Sequence, residues 1–391
     1  MVHSPKAELR EAAYRSLLEK QKDNLDKFFA IYQAIVKDWD YEAKLRGYET
    51  PIQVRNFANQ ISDKAIENLL SVCQKNRTIF QDFFKYKAKI LGQNKLKRFD
   101  IYAPIESKEK QIRFDEAVAI VKDVFNEFSP QFGNLANKVI DQKHIDSHPQ
   151  PNKRSGAFCA TVNPKITPYV MLNFTGRIRD VSTLAHELGH AVHSLLASQH
   201  LPSVQHANLP LAETASTLAE MILFENLYQK ETDPKIRKSM LMEKLADSYA
   251  SILRQNYFVI FEIRAHELIS KGCTAKQLSE LWLETLKEQF GDSVEIDQIF
   301  KYEWSYIPHI VNTPFYCYAY NFGELLSYAL FARYKNERQE FVSNIETILM
   351  AGGSQNPTKI LKEVGIDINS KQIWNDSFFI IKEWQLRLEQ L

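Results

Sequence analysis

Two histidines four residues apart, His186 and His190, stand in the segment TLAHELGHAVH (183–193), with Glu187 directly after the first and His193 at the end. On a helix, positions i and i+4 share a face one turn apart, so both imidazoles point the same way. Two neutral imidazoles placed like this can share one Zn²⁺ at ~2.0–2.1 Å each. Glu187 lies ~100° round the helix, close enough to hold a metal-bound water without ligating the metal. HExxH also arises by chance, and a surface helix with incidental histidines is the bland alternative. The neighbours weigh against it: Leu184, Ala185, Leu188, Ala191, Val192, Leu195 and Leu196 make the segment apolar on most sides. A helix that buried should not carry two imidazoles and a carboxylate unless something satisfies them. Asp180, Ser182 and Thr183 just upstream are cap candidates.

A catalytic zinc needs three protein ligands and an open position. His193 lies about 10 Å along the axis from His186 at ~1.5 Å per residue, so the three side chains of one straight helix do not converge. It reads as a core histidine or as a hydrogen-bonding support for a ligand. The metzincin pattern wants Gly at 193 and His at 196; this chain has His193 and Leu196, which excludes that class. The third ligand is expected from the next helix, where QHANLPLAETASTLAEMILFE offers Glu213, Glu220 and Glu225. Glu213 sits among Ala212, Thr214, Ala215 and Ser216, small residues that let two helices approach closely, and is the chosen ligand. Glu220, seven residues on, is either an acceptor for a ligand histidine or an ordinary solvated or ion-paired glutamate.

A second cluster, YEWSYIPHIVNTPFYCYAYNFGE (302–324), carries Tyr302, Tyr306, His309, Tyr316, Tyr318 and Tyr320. An aromatic core is the plain reading, but buried phenols each want a partner. Peptide hydrolysis needs such groups, because the tetrahedral oxyanion takes donors beyond the metal. Tyr316 and Tyr320 share a helix face, and Tyr318 points elsewhere if the segment is helical.

The elements that must position these groups read as mainly α. Only 12 glycines in 391 residues suit long helices, and the composition, 45% hydrophobic and 25% charged, can bury a sizeable core. Apolar spacing predicts helices within 7–38, 51–92 and 108–131, then 180–198, 209–230, 234–270, 275–290, 314–336, 338–350, 357–364 and 371–390. RFDIYAPIES (98–107) is a short extended connection and 141–155 a polar loop. GAFCATV (156–162) and PYVMLNF (168–174) are the strand-like runs, so a small sheet is expected beside the HExxH helix. The shift in composition near residue 100 suggests a helical segment, 1–100, packing on a catalytic part, 101–391. Forty-nine basic residues against 48 acidic ones, net +1, give no reason to expect nucleic acid or an anionic membrane as partner. Four scattered cysteines without a CxxC pair, no secretory h-region and no apolar run of ~18 residues make a cytoplasmic protein the default.

TLAHELGHAVHS followed by AETAST resembles the thimet oligopeptidase and oligoendopeptidase F group of zinc metallopeptidases, nearest the oligoendopeptidase F branch. The likeness covers nearly the whole chain, through KRSGAFCATV, VMLNF, LRQNYFVIFE (253–262), PHIVNTPFYCYAY and GIDINSKQIW. It implies a large helical zincin-like fold with a deep channel that cleaves oligopeptides, not folded proteins. It implies that His186, His190 and Glu213 hold one Zn²⁺, that Glu187 is the general base, and that His309 and tyrosines of the 316–320 cluster stabilise substrate and transition state. Tyr316, Tyr318 and Tyr320 are not individually assigned. YVMLNF would line the channel and pair with the substrate backbone. Members of the group carry a further helical region ahead of the point where this chain begins, building the opposite wall. An open cleft, with apolar surface that promotes self-association, is therefore expected. The resulting expectation is a zinc endopeptidase; the alternatives are a catalytically impaired peptide-binding scaffold and an HExxH metallocarboxypeptidase.

Overall fold

The computed structural model describes residues 3–105 and 111–391. The first helices are α1 (Ala7–Asp23), α2 (Leu25–Leu45), α3 (Pro51–Ala58), α4 (Asp63–Lys75) and α5 (Arg77–Ile90), followed by strand β1 (Leu96–Lys97). Next come α6 (Phe114–Phe128), α7 (Pro130–Asp141), β2 (Ile145–Asp146), β3 (Phe158–Ala160) and β4 (Tyr169–Met171). The HExxH segment lies in α8 (Ile178–Leu196), followed by the short α9 (Pro202–Gln205) and α10 (Leu209–Ala212) and by α11 (Thr214–Lys230). The remainder is α12 (Pro234–Ser248), α13 (Arg254–Ser270), α14 (Ala275–Phe290), β5 (Val294–Glu295), α15 (Pro308–Asn312), α16 (Tyr318–Glu337), α17 (Gln339–Met350), α18 (Pro357–Glu363) and α19 (Lys371–Glu389). No helix among the described residues is long and apolar enough to cross a membrane.

The mainly helical expectation holds, and the departures have local causes. The run predicted over 7–38 breaks at Asn24, which closes α1 and opens α2. The run 51–92 divides at Gln60, whose φ of 56° is left-handed, and again at Asn76. Ser62 and Ser129 cap the following helices by accepting from Ala65 N and Phe132 N. Residues 106–110, where the helix predicted over 108–131 begins and the connection 98–107 ends, lie outside the described residues. The stretch 234–270 is one helical run interrupted by a π turn at Tyr249–Leu253. The helix predicted from 314 begins instead at Tyr318, because Phe315 has φ +57°.

The chain divides into two compact units. The first gathers residues 1–106, 241–321 and 381–390; the second gathers 107–240 and 322–380. The carboxyl-terminal part of the chain is shared between the units. Nothing in the composition marks the later crossings, since the chain changes unit without a Gly/Pro-rich linker. The first unit pairs β1 with β5 in parallel, Leu96 opposite Val294. Its core includes Tyr14, Phe99 and Phe300, with the Phe99 and Phe300 ring centroids 4.9 Å apart. The Arg98 guanidinium is 4.9 Å from the Phe300 centroid and forms a buried 2.5 Å ion pair with Glu303.

The second unit is centred on α8 and α11, with α6 and α7 also packed against α8. Its sheet has the order β2-β4-β3, β4 running parallel to β2 and antiparallel to β3. Gly189, inside HELGH, fixes how closely α8 and α11 pack. A Cβ there would lie 2.7 Å from Ser216 Cα and 2.8 Å from the Ala215 carbonyl oxygen, and real contacts do not come that close. The small residues Ala215 and Ser216 supply the other half of this approach. Gly189→Ala must therefore push the two helices apart. It is expected to destabilise the chain by about 1–3 kcal/mol in a denaturant melt; an unchanged midpoint would show that the helices do not meet at this glycine.

Candidate metal centre

The α8 helix starts at Ile178, ahead of the three cap candidates, and Asp180 alone reaches back to its start from the first turn. Asp180 Oδ2 accepts from Thr175 N at 2.7 Å and Arg177 N at 3.1 Å, satisfying donors at the helix start. Ser182 and Thr183 lie inside the first turns; the Thr183 hydroxyl donates to the Arg179 carbonyl. The rest of α8 buries Leu184, Ala185, Leu188, Ala191 and Val192 and leaves His186 and His190 half-buried.

The continuous helix expected over 209–230 is broken at Glu213. With φ −89° and ψ 0°, Glu213 is the junction between α10 and α11 and serves as the N-cap position of α11. The break turns its carboxylate toward α8. Glu213 Oε2 lies 3.4 Å from His186 Nε2 and 3.3 Å from His190 Nε2, and the two Nε2 atoms lie 3.2 Å apart. Ser216 Oγ donates to the same carboxylate oxygen at 2.9 Å and fixes its rotamer. Two atoms bound ~2.0–2.1 Å from one ion at the tetrahedral angle sit about 3.3 Å apart, so the triangle fits a single tetrahedral cation with its fourth corner open. Among the described residues, His186, His190 and Glu213 are the one group of three or more side chains so gathered.

Glu220, one helical stretch further along α11, reaches the back of the first histidine. Its Oε1 lies 2.5 Å from His186 Nδ1. With the proton on Nδ1, the Nε2 lone pair faces His190 and Glu213, which is the tautomer a metal ligand needs. Burial disfavours charge on His186, but the Glu220 hydrogen bond and the charges of Glu220, Glu213 and Glu187 outweigh it and raise its pKa to about 9. Burial likewise opposes ionisation of Glu213, yet its hydrogen bond and charge contact with His190, then His186 and Ser216, hold it down to about 2. A carboxylate held ionised in this way favours a cation placed beside it. Glu187 is buried, and burial is the main cause raising its pKa.

These groups line a cleft of about 380 Å³. One wall is Ala157, Phe158 and Cys159 of the β3 segment; His186, Glu187, His190, Glu213 and His206 face it from the other elements. His193 also lines the cleft but stands outside the triangle. Burial, then the charges of His190 and His206, lowers its pKa to about 4, so it is neutral. The sequence reading did not single out His206 or Thr161; the only signal for His206 was its place between the HExxH helix and Glu213. Thr161 lies at the cleft with its hydroxyl 2.6 Å from Ser194 Oγ. Glu225, the remaining candidate on α11, is buried away from the triangle.

Two expectations need correction. YVMLNF cannot offer an edge to an extended peptide, because β4 is the central strand with β2 on one side and β3 on the other. The edge strand at the cleft is β3. Tyr318 cannot donate to a substrate: it is fully buried, and its hydroxyl accepts from Asn59 Nδ2 at 2.7 Å. The other members of its cluster stay together in the first unit. His309 and Tyr316 are stacked with centroids 6.2 Å apart, Tyr316 and Tyr320 are edge-on at 5.2 Å, and Tyr320 Oη is 3.4 Å from His309 Nε2. All three are half-buried. Burial, and then the charge of Arg254, lowers the pKa of His309 and keeps it neutral.

The chain is 30% identical over 394 residues to the oligoendopeptidase F homolog of Borreliella burgdorferi, covering 98% of this chain and 65% of that protein. It therefore spans about two thirds of the length of this curated relative, a share repeated at 65% for the group B oligopeptidase PepB of Streptococcus agalactiae, which is 27% identical. A solved structure from Chlamydophila abortus superposes with a TM-score of 0.92 at 27% identity, over 100% of this chain and 66% of that one. The model of Peptidase family M3 matches residues 1–380, so with the HExxH helix, the Glu213 junction and this fold in view, the chain belongs to peptidase family M3.

Proposed function

We propose that the protein is a zinc-dependent endopeptidase that hydrolyses oligopeptides, with His186, His190 and Glu213 as the metal ligands and Glu187 as the general base. The observation that carries this reading is the triangle of ligand atoms at 3.2, 3.3 and 3.4 Å, with Glu220 behind His186. Its curated relatives are named as oligoendopeptidase F homologs and oligopeptidases, which supports the same reaction. The composition, at net charge +1, fits a peptide substrate better than a polyanion. Four cysteines free of disulfides fit work in the cytoplasm.

A zinc ion held by this triangle supplies a Lewis acid for the scissile carbonyl and lowers the pKa of a water to about 7. Everything else falls to the chain. Glu187 takes a proton from the attacking water while the water oxygen bonds the carbonyl carbon, and returns that proton to the nitrogen as the C–N bond breaks. Burial, which raises the Glu187 pKa, suits a group that must both accept and release a proton. Glu220 orients His186 through Nδ1, and Ser216 orients Glu213. The β3 edge, with Ala157 to Cys159 at the cleft, would take the substrate backbone as an added strand. His309, Tyr316 and Tyr320 would donate to substrate carbonyl oxygens and to the oxyanion.

Two measurements test this reading. An internally quenched peptide should be cut by the wild-type chain and not after chelation. In Glu187→Gln, kcat should fall on the order of 10²- to 10⁴-fold with zinc stoichiometry unchanged. A variant that keeps its rate would remove Glu187 from the chemistry, and zinc bound without any wild-type turnover would favour a peptide-binding scaffold. Glu220→Gln should weaken zinc affinity by about 10- to 100-fold in competition with a chromophoric chelator. Unchanged affinity would mean that Glu220 does not set the His186 tautomer.

A further inference from the structure

The turn between α15 and α16 carries Tyr316 and joins it to His309, and its backbone is unusual. Tyr316 N donates to Thr313 O at 3.2 Å, closing a β-turn with Pro314 second and Phe315 third. Phe315 has φ +57°. Proline second and a positive φ third are the marks of a type II turn, which favours Gly or Asn at the third position. A phenylalanine there is strained, and the alternative turn differs mainly by a flip of the central peptide.

That central peptide is held at both ends by side chains from two other helices of the same unit. Its carbonyl, on Pro314, accepts from Arg55 Nε of α3 at 3.2 Å. Its N–H, on Phe315, donates to Glu262 Oε1 of α13 at 2.8 Å. Glu262 is completely buried, and among the described residues its second oxygen has no hydrogen-bond partner. Arg55 is itself placed, with its guanidinium 5.5 Å from the Trp39 ring centroid, and the Phe315 ring packs 4.7 Å from His266. Flipping the peptide would forfeit both hydrogen bonds and turn an N–H toward the Arg55 guanidinium, which has no acceptor to offer.

We infer that Glu262 and Arg55 are positioning residues that lock the Pro314–Phe315 peptide and thereby hold Tyr316, stacked on His309, in its working orientation. This rests on the proposed peptidase reading, in which His309, Tyr316 and Tyr320 meet the substrate. Among the described residues, the buried carboxyl of Glu262 makes its hydrogen bond to one backbone amide and none to a side chain. Burial raises its pKa to about 8 against the Phe315 amide and Arg55, and an oxygen accepts the amide in either protonation state. An amide oxygen at the same place would do the same, so Gln should substitute where Ala cannot.

The experiment compares Glu262→Ala, Glu262→Gln and Arg55→Met with the wild-type chain, each loaded with zinc, on an internally quenched peptide and by hydrogen exchange over residues 313–317. In Glu262→Ala, kcat should fall on the order of ten- to a hundredfold with KM within about threefold, because the oxyanion donors are displaced and not removed. The Phe315 amide should exchange at least about tenfold faster, and zinc content should be unchanged. Glu262→Gln should restore both readouts. If Glu262→Ala does not fold, Arg55→Met carries the test with the same pattern. The inference is overturned if exchange at 313–317 is unchanged, if Gln is as damaged as Ala, or if exchange quickens while kcat holds. Absence of wild-type turnover would sink the peptidase reading instead, and the exchange data would still decide whether the clamp holds the turn.

Discussion

The distance between α8 and α11 governs the candidate metal centre. Gly189 lets the HExxH helix rest against the backbone of Ala215 and Ser216, and only at that separation do a carboxylate on one helix and two imidazoles on the other meet. The constraint is steric before it is electrostatic. The same approach that brings Glu213 to both Nε2 atoms brings Glu220 to the far side of His186, so ligand and support come from one helix through one contact. Gly323 repeats the device on a smaller scale, since a Cβ there would come within 3.3 Å of Glu213 Cβ.

Three carboxylates, Glu187, Glu213 and Glu220, surround two imidazoles in a half-buried cleft. In that setting the charges compete for whatever positive charge is present, whether a proton on His186 or a divalent cation between the rings. Hence the direction of each perturbed group: His186 up, Glu213 down, Glu187 up through burial. An ionised Glu213 beside two imidazoles suits a cation between them, and Glu187 stands outside that triangle.

The chemistry of the site was far more legible than its backbone. His186, His190 and Glu187 follow from helical spacing alone, and Glu213 from its small neighbours. Glu220 was readable only as one of two alternatives, because seven-residue spacing says nothing about what lies opposite. The break at Glu213 was not legible, since LAETAS contains no Gly or Pro to end a helix. Nor was the turn at Phe315, where Arg55 and Glu262, distant in sequence, impose a conformation that the local residues disfavour. Strands of two or three residues carry too little alternation to tell a central strand from an edge, so the central place of β4 could not be read. The later crossings between the units, near residues 240, 321 and 380, carry no Gly/Pro-rich linker that a sequence could show.

The account stands or falls on one ion shared by three side chains. Zinc K-edge absorption spectroscopy of the loaded chain, or a crystal structure of it, measures this directly. The account predicts one zinc per chain with two nitrogen ligands at ~2.0–2.1 Å and a carboxylate oxygen at ~2.0–2.2 Å, and a simpler first shell in Glu213→Ala. A sulfur ligand, a first shell unchanged by Glu213→Ala, or no stoichiometric metal at all would contradict it.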